Sequence, residues 1–345
     1  MRVVALPPPI QAWPELQAEP VTLLSGGLIN TSYSVGSPPI AALQAQHPIF
    51  TPEVNDDIDA ITTHLVRKGA ITPMLVRTGD GALCHVDDDG VCWRMLSWIP
   101  GRSVDRIVDL PMASQAGRIV ASWHRATEDL RHDFHFSRPG AHDTEAHMDL
   151  LRSALDEHRD HRLHAEVGVL ADRILADWSG WEGQLDGPLR VAHGDLKISN
   201  IRFSTEGRAI CLLDLDTMGH LPLDIELGDA ARSWCNPCGE DESEPTFSLD
   251  IFEAAFTSYL RVNPIGASER DALVPGIERI CLELAARFAA DALRESYFGW
   301  SPERASGRGE HNLLRARGQA GLSRSVRAQQ NSLNDVLRRA SDIQV

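Results

Sequence analysis

Two short segments constrain this chain most: the run Val191-Ala-His-Gly-Asp-Leu-Lys-Ile-Ser-Asn200 and the Leu212-Leu-Asp-Leu-Asp216 that follows it. Asp195 and Asn200 stand five residues apart in what reads as one short loop, and Asp214 and Asp216 close the next strand. A carboxylate and a carboxamide at that interval, backed by a second acidic pair, are the kit that phosphoryl transfer from a nucleotide needs. One carboxylate orients and deprotonates an attacking hydroxyl, while other oxygens hold Mg²⁺ against the phosphates.

The hydrophobic periodicity divides the chain. Residues 21–35 read as two strands joined by a Gly-containing turn, with a short third strand at 43–46. Val54, Ile58, Ile61 and Leu65 recur at helical spacing after Pro52, and strands are expected over 74–77, 83–86 and 91–98. Pro100-Gly101 breaks the pattern, and helices are predicted at 111–129, 144–159, 164–177, 248–262, 270–298 and 312–340, with a hairpin over 199–216. This is an α+β layout. A β-rich lobe over 1–98 for the nucleotide leads through a hinge at 97–101 into a helical catalytic and substrate-binding lobe over 99–345. A length of 345 residues suits such a division.

Composition excludes several partners. A net charge of −16 disfavours nucleic acid, because phosphate backbones need clustered Lys and Arg. No apolar run reaches bilayer length, and the proline-broken N-terminus is no secretory signal, so neither a membrane nor an export role is expected. Six scattered cysteines read as reduced core thiols of a cytoplasmic protein, and Cys235-Asn-Pro-Cys238 as a turn rather than a zinc site. Histidines between 124 and 164 read as solvated helix residues, with His142 alone a candidate substrate contact. Oligomeric state is not legible.

The Asp-to-Asn interval matches the kinase catalytic loop His-Arg-Asp-x-x-x-x-Asn, with Gly194 in the place of Arg. His193-Gly-Asp-Leu196 with Asn200 and the downstream Asp214 resembles the aminoglycoside phosphotransferase and choline kinase superfamily, which has a protein kinase-like two-lobed fold. That resemblance implies ATP and Mg²⁺ as cofactors, Asp195 as catalytic base, Asn200 as a metal ligand, and Asp214 as the principal ligand. Asp216 would complete the metal shell or hydrogen-bond nearby backbone. Lys197 could reach the transferring phosphate, and His193 would fix the loop. Asp229 is expected to begin a helix that braces the loop.

In the small lobe, Gly26, Gly27, Asn30 and Thr31 would lie over the phosphates, while Ser97 and Ile99 would run along the adenine edge. Kinases of this kind carry a lysine on the third strand that grips the phosphates. Here Ala42-Leu-Gln-Ala-Gln46 has no cation, and Gln44 can only hydrogen-bond.

Patches spread from about 22 to 320 are similar to N-acetylhexosamine 1-kinases: Leu43-Gln44, His142-Asp-Thr144, Glu226-Leu-Gly-Asp-Ala-Ala-Arg232, Arg287-Phe-Ala-Ala-Asp291, Tyr297-Phe298 and His311-Asn-Leu-Leu-Arg315. The resemblance implies a sugar or amino sugar acceptor. Arg287 and Asp291 share a helix face at i, i+4, to be satisfied by sugar hydroxyls or by each other; Tyr297 and His142 would lie nearby. Aminoglycoside, choline or homoserine acceptors would leave Asp195, Asn200 and Asp214 in place. A nucleotide-binding regulator without catalysis is the alternative of a different class.

Overall fold

Period-two alternation in the N-terminal third builds an antiparallel sheet of five strands, ordered β1-β2-β3-β5-β4. They are β1 (Val21–Leu23), β2 (Thr31–Val35), β3 (Ala41–Ala45), β4 (His85–Val86) and β5 (Cys92–Ser97). The computed structural model describes residues 9–24, 29–137, 140–239, 241–242 and 245–342. Gly26 and Gly27 lie outside the described residues. Tyr33, Val35, Leu43, Trp93 and Met95 project from one face of the sheet into a core with Trp13. The intervening Ser32, Gln44 and Arg94 lie in one cross-strand row, Ser32 opposite Gln44 and Gln44 opposite Arg94, on the other face.

The strand expected at 74–77 is reduced to one bridge between Leu75 and Leu96. The Trp13 indole N–H takes the Val76 carbonyl at 2.8 Å, which removes that acceptor from any ladder. Helix α1 (Val54–Arg67) follows β3, burying Val54, Ile58, Ile61 and Leu65 as their spacing predicts.

The chain divides into two compact units: Met1–Gly101 with Asp129–Ser137 and Leu213–Asp216, and the remainder, Arg102–Glu128, Arg138–Leu212 and Thr217–Val345. Asp57 of α1 holds the 129–137 excursion in the first unit. Its Oδ1 accepts from the His135 backbone N–H at 2.9 Å and meets His132 Nε2 at 2.7 Å and His135 Nδ1 at 3.0 Å. Its Oδ2 accepts from the Phe136 N–H at 2.9 Å.

The second unit is mostly helical: α2 (Leu110–Thr127), α3 (Thr144–Glu157), α4 (His164–Ser179), α5 (Leu223–Trp234), α6 (Leu249–Val262), α7 (Ala267–Arg294), α8 (Arg308–Ala328) and α9 (Gln330–Asp342). The C-terminal pattern predicted as a single helix thus breaks at Gln329, whose side-chain amide donates to the Phe247 and Ser325 carbonyls. The predicted hairpin appears as β7 (Ile201–Phe203) with β8 (Ala209–Leu212). A second pair unforeseen in the sequence, β6 (Leu189–Ala192) with β9 (Gly219–Pro222), flanks it in the chain. Helices α5 and α7 cross closely, since a Cβ on Gly276 would lie 2.6 Å from the Asp224 carbonyl. Apolar side chains of α3, α4, α7 and α8 form one core. No helix among the described residues is long and apolar enough to cross a membrane.

Candidate active site

The second unit carries the loop predicted from sequence, and β6 and α5 hold it. β6 delivers His193, Gly194 and Asp195 at its end. Gly194 has φ 78°, and a Cβ there would come within 2.3 Å of the Thr217 carbonyl. Only glycine fits, so no arginine can stand before Asp195 here. Lys197 donates to Asp195 Oδ2 at 2.5 Å. The Asn200 side-chain amide donates to the Asp195 carbonyl at 2.9 Å and to Oδ2 at 3.1 Å. Asp195, Lys197 and Asn200 therefore converge. Burial pushes the Asp195 carboxyl up, but Lys197, with His193 and Arg232 beyond it, outweighs this and holds it below the usual carboxylate range.

Helix α5 braces this loop, although the residue responsible is not the expected one. Asp229 lies inside the helix, not at its start, and its Oδ1 accepts from Arg232 at 2.9 Å. Glu226, one turn earlier, performs the bracing. Its Oε1 accepts from the His193 N–H at 2.8 Å and its Oε2 from the Gly194 N–H at 2.9 Å. The Trp234 indole and Ser233 hydroxyl add bonds to the Leu196 carbonyl and the Ile198 N–H.

Behind Glu226, His124 of α2 bridges Glu226 Oε1 (3.2 Å) and the Tyr259 hydroxyl of α6 (2.8 Å). His124 is 6% exposed, which corrects the expectation of a solvated residue: its ring links three helices. His193 is fully buried, and its Nδ1 accepts from the Asp195 N–H at 3.3 Å. Glu226 was legible only as part of the Glu226–Arg232 patch; its position one turn before Asp229 on an amphipathic helix was the available signal.

In the first unit, the segment carrying Asp214 and Asp216 is tied to the sheet. Asp214 is exposed and has φ 61°, a left-handed conformation that costs a non-glycine residue about 1 kcal/mol. Such outliers cluster at functional positions. Asp216 is 1% exposed, and both its oxygens accept from protein donors. Arg94 bonds both, and Asn30 Nδ2 reaches Oδ2 at 2.5 Å. Asp216 thus binds a guanidinium, where the sequence suggested a metal shell or backbone.

Asn30 also accepts from the His47 N–H at 2.9 Å, and Thr31 opens β2 opposite Ala45. Gln44 Oε1 accepts from Arg94 Nε at 2.9 Å and Nη2 at 2.8 Å, and its amide donates to Ser32. Ser97 accepts from the Met74 N–H at 2.9 Å, and Ile99 is half-buried. Arg94 escaped the sequence reading, although one arginine inside the apolar run Val91-Cys-Trp-Arg-Met-Leu96 was its signal.

The expected substrate residues separate into two groups. Asp291 does not pair with Arg287. Its Oδ1 accepts from the Ser296 and Tyr297 N–H groups at 3.0 and 2.9 Å. Its Oδ2 accepts from the Phe298 N–H and the Asn312 amide, both at 2.8 Å. A carboxylate with four such donors shapes the turn after α7, and Tyr297 is 54% exposed beside it. Arg287 faces Glu283 instead, with Nη1 3.9 Å away. His142 Nδ1 meets the same carboxylate at 3.1 Å, and Thr144 donates to it at 2.8 Å. Arg279 donates to Thr144 and to the His142 carbonyl, while its buried Nη1 has no hydrogen-bond partner. Asp229 Oδ2 is likewise buried and unmet. Burial raises the Asp229 carboxyl, which Arg232 opposes and Asp195 reinforces.

The model of the phosphotransferase enzyme family matches residues 20–264. Solved structures are similar in fold. An amicoumacin kinase in complex with AMP-PNP, Ca²⁺ and Ami aligns with a TM-score of 0.62 and 14% identity, covering 90% of each chain. A microcompartment-associated aminopropanol kinase gives 0.62 and 17%, covering 94% of this chain and 96% of its own. An aminoglycoside phosphotransferase from Alicyclobacillus acidocaldarius gives 0.59 and 16%, covering 90% and 92%.

Proposed function

Because the chain belongs to the phosphotransferase enzyme family, and is by that membership a small-molecule kinase, we propose that it transfers the γ-phosphate of ATP, with Mg²⁺, to a hydroxyl of a sugar or amino sugar. The observation that carries the reading is the loop in which Lys197 and Asn200 both bond Asp195. Asp195 is the proposed base: burial would favour its protonated form, and the Lys197 ammonium offsets this and keeps the carboxylate ionised where it can take a hydroxyl proton. Asn200 and Asp214 are the proposed oxygen ligands, and their carboxamide and carboxylate suit a hard divalent cation. When bound, that cation neutralises charge on the phosphate oxygens. Lys197 supplies a positive charge next to the base.

Two features favour a neutral polyhydroxyl acceptor. The Glu283 carboxylate that receives His142 and Thr144 has Arg287 for a neighbour, and Arg279 bonds Thr144, so this cluster is balanced and not acidic. Buried Arg279 Nη1 and Asp229 Oδ2 leave one donor and one acceptor unmet, which hydroxyl or amide groups would satisfy. The patches resembling N-acetylhexosamine 1-kinases make an N-acetylhexosamine the first acceptor to try.

The test combines labelled ATP, Mg²⁺ and a panel of hexosamines, aminoglycosides, aminoalcohols and choline. The expected result is transfer to an amino sugar, with Asp195→Asn lowering kcat by about 10²- to 10⁴-fold and leaving ATP affinity unchanged. Near wild-type turnover in that variant would remove Asp195 from the mechanism. Thermal stabilisation by ATP without transfer to any acceptor would favour a nucleotide-binding regulator.

A further inference from the structure

The third strand lacks a cation, yet the structure holds one beside the position where it is missing. Gln44 on β3 stands directly opposite Arg94 on β5, so the two side chains leave the same face of the sheet. Arg94 is 1% exposed, and four of its N–H donors are committed: two to Gln44 Oε1 and two to the Asp216 carboxylate. A guanidinium held by a fork onto a carboxylate cannot swing away, and its charge is fixed in place. Kinases that use a third-strand lysine orient it in the same manner, by pairing it with a buried carboxylate.

Two further observations tie this cation to the nucleotide-handling part of the unit. Asp216 is two residues from Asp214, and Asp214 is among the charges that act on Arg94. Asn30, the residue just before β2, shares the Asp216 carboxylate with Arg94. A buried ion pair adds little to stability over an apolar pair of similar volume, so its presence inside an apolar strand asks for another reason. We propose that Arg94 is the phosphate-directed cation of this enzyme, supplied from β5 in place of a third-strand lysine, with Asp216 as the carboxylate that orients it. Asp216 is then a holder of Arg94 and not a ligand of the metal. This rests on the kinase reading above.

The test measures ATP and adenosine binding by calorimetry on the full chain, together with KM for ATP and for the acceptor. Arg94→Gln is expected to weaken ATP on the order of 10- to 100-fold, the worth of a lost charge-assisted hydrogen bond. Adenosine affinity and the acceptor KM should stay within about twofold, since neither involves the phosphates. The double variant Gln44→Lys/Arg94→Gln moves the charge one strand over, and should regain at least part of the ATP affinity. Unchanged ATP binding in folded Arg94→Gln overturns the proposal, as does equal weakening of ATP and adenosine. If Arg94→Gln fails to fold, Arg94→Lys decides: a loss confined to ATP supports the role, and a loss shared with adenosine overturns it. A wild-type chain that binds ATP while the Arg94 variants match it sinks this proposal alone. A wild-type chain that binds no nucleotide sinks the kinase reading as well.

Discussion

Lys197 donates to Asp195 at 2.5 Å, so the proposed base is never isolated from a cation. Burial would raise the Asp195 pKa, and the ammonium more than reverses that. The sign gives a prediction. Removing the cation in Lys197→Met must raise the pKa of Asp195, so the base becomes protonated at a higher pH. The acid limb of kcat/KM, which in wild type lies below the usual carboxylate range, should move upward toward neutral pH. A limb that stays in place would mean that another group controls it. Asp195, Lys197 and Asn200 were legible in the sequence because one tight loop contains all three, and local spacing alone brings them together. Arg94 and Asp216 were not read as partners, because 122 residues separate them and only the sheet face unites them.

The element that matters most for the loop is α5, and its contribution concentrates in one carboxylate. Glu226 uses its two oxygens to accept two consecutive backbone N–H groups, at 2.8 and 2.9 Å. Burial raises its pKa, but His124 and the loop donors outweigh this and keep it ionised. An amide of the same shape cannot do both tasks, since its NH₂ would face one N–H. Glu226→Gln should therefore leave a buried donor unmet, at about 1–3 kcal/mol, visible as a lower Tm. Loosening of the loop should also lower kcat, by up to roughly 100-fold, with the KM for ATP little changed. A lower Tm with full kcat would limit Glu226 to a role in folding. The sequence placed the start of a bracing helix at Asp229, about two turns late, since α5 begins at Leu223. Which of its carboxylates turns toward the loop depended on the rotation of the helix, and the close Gly276 crossing with α7 helps set that.

Across the whole molecule, the chain crosses from one unit to the other more often than a single boundary near residue 100 would require. The 129–137 segment joins the first unit, and Asp57 with His132 and His135 secures it. His135 has a raised pKa, first through its bond to Asp57 and then through the nearby acidic charges. Its stabilising contribution is thus fully present below its ordinary pKa of about 6.5 and fades as the pH rises through the elevated value. The Tm deficit of His135→Ala should be larger at about pH 5.5 than at about pH 8.5. An equal deficit at both would show that packing, not charge, holds the segment. Composition gave no warning of this histidine, because exposure by pattern and pairing across 78 residues cannot be told apart in one dimension.

The sequence by itself determined the α+β class, most helix positions and the convergence of Asp195, Lys197 and Asn200 in one loop, because periodicity and short-range spacing carry that information. Tertiary structure alone decided which charges meet. It gave Asp216 to Arg94, the loop amides to Glu226, and Asp291 to the turn after α7. Buried polar groups must find partners wherever the fold brings them, and the chain order does not record those encounters.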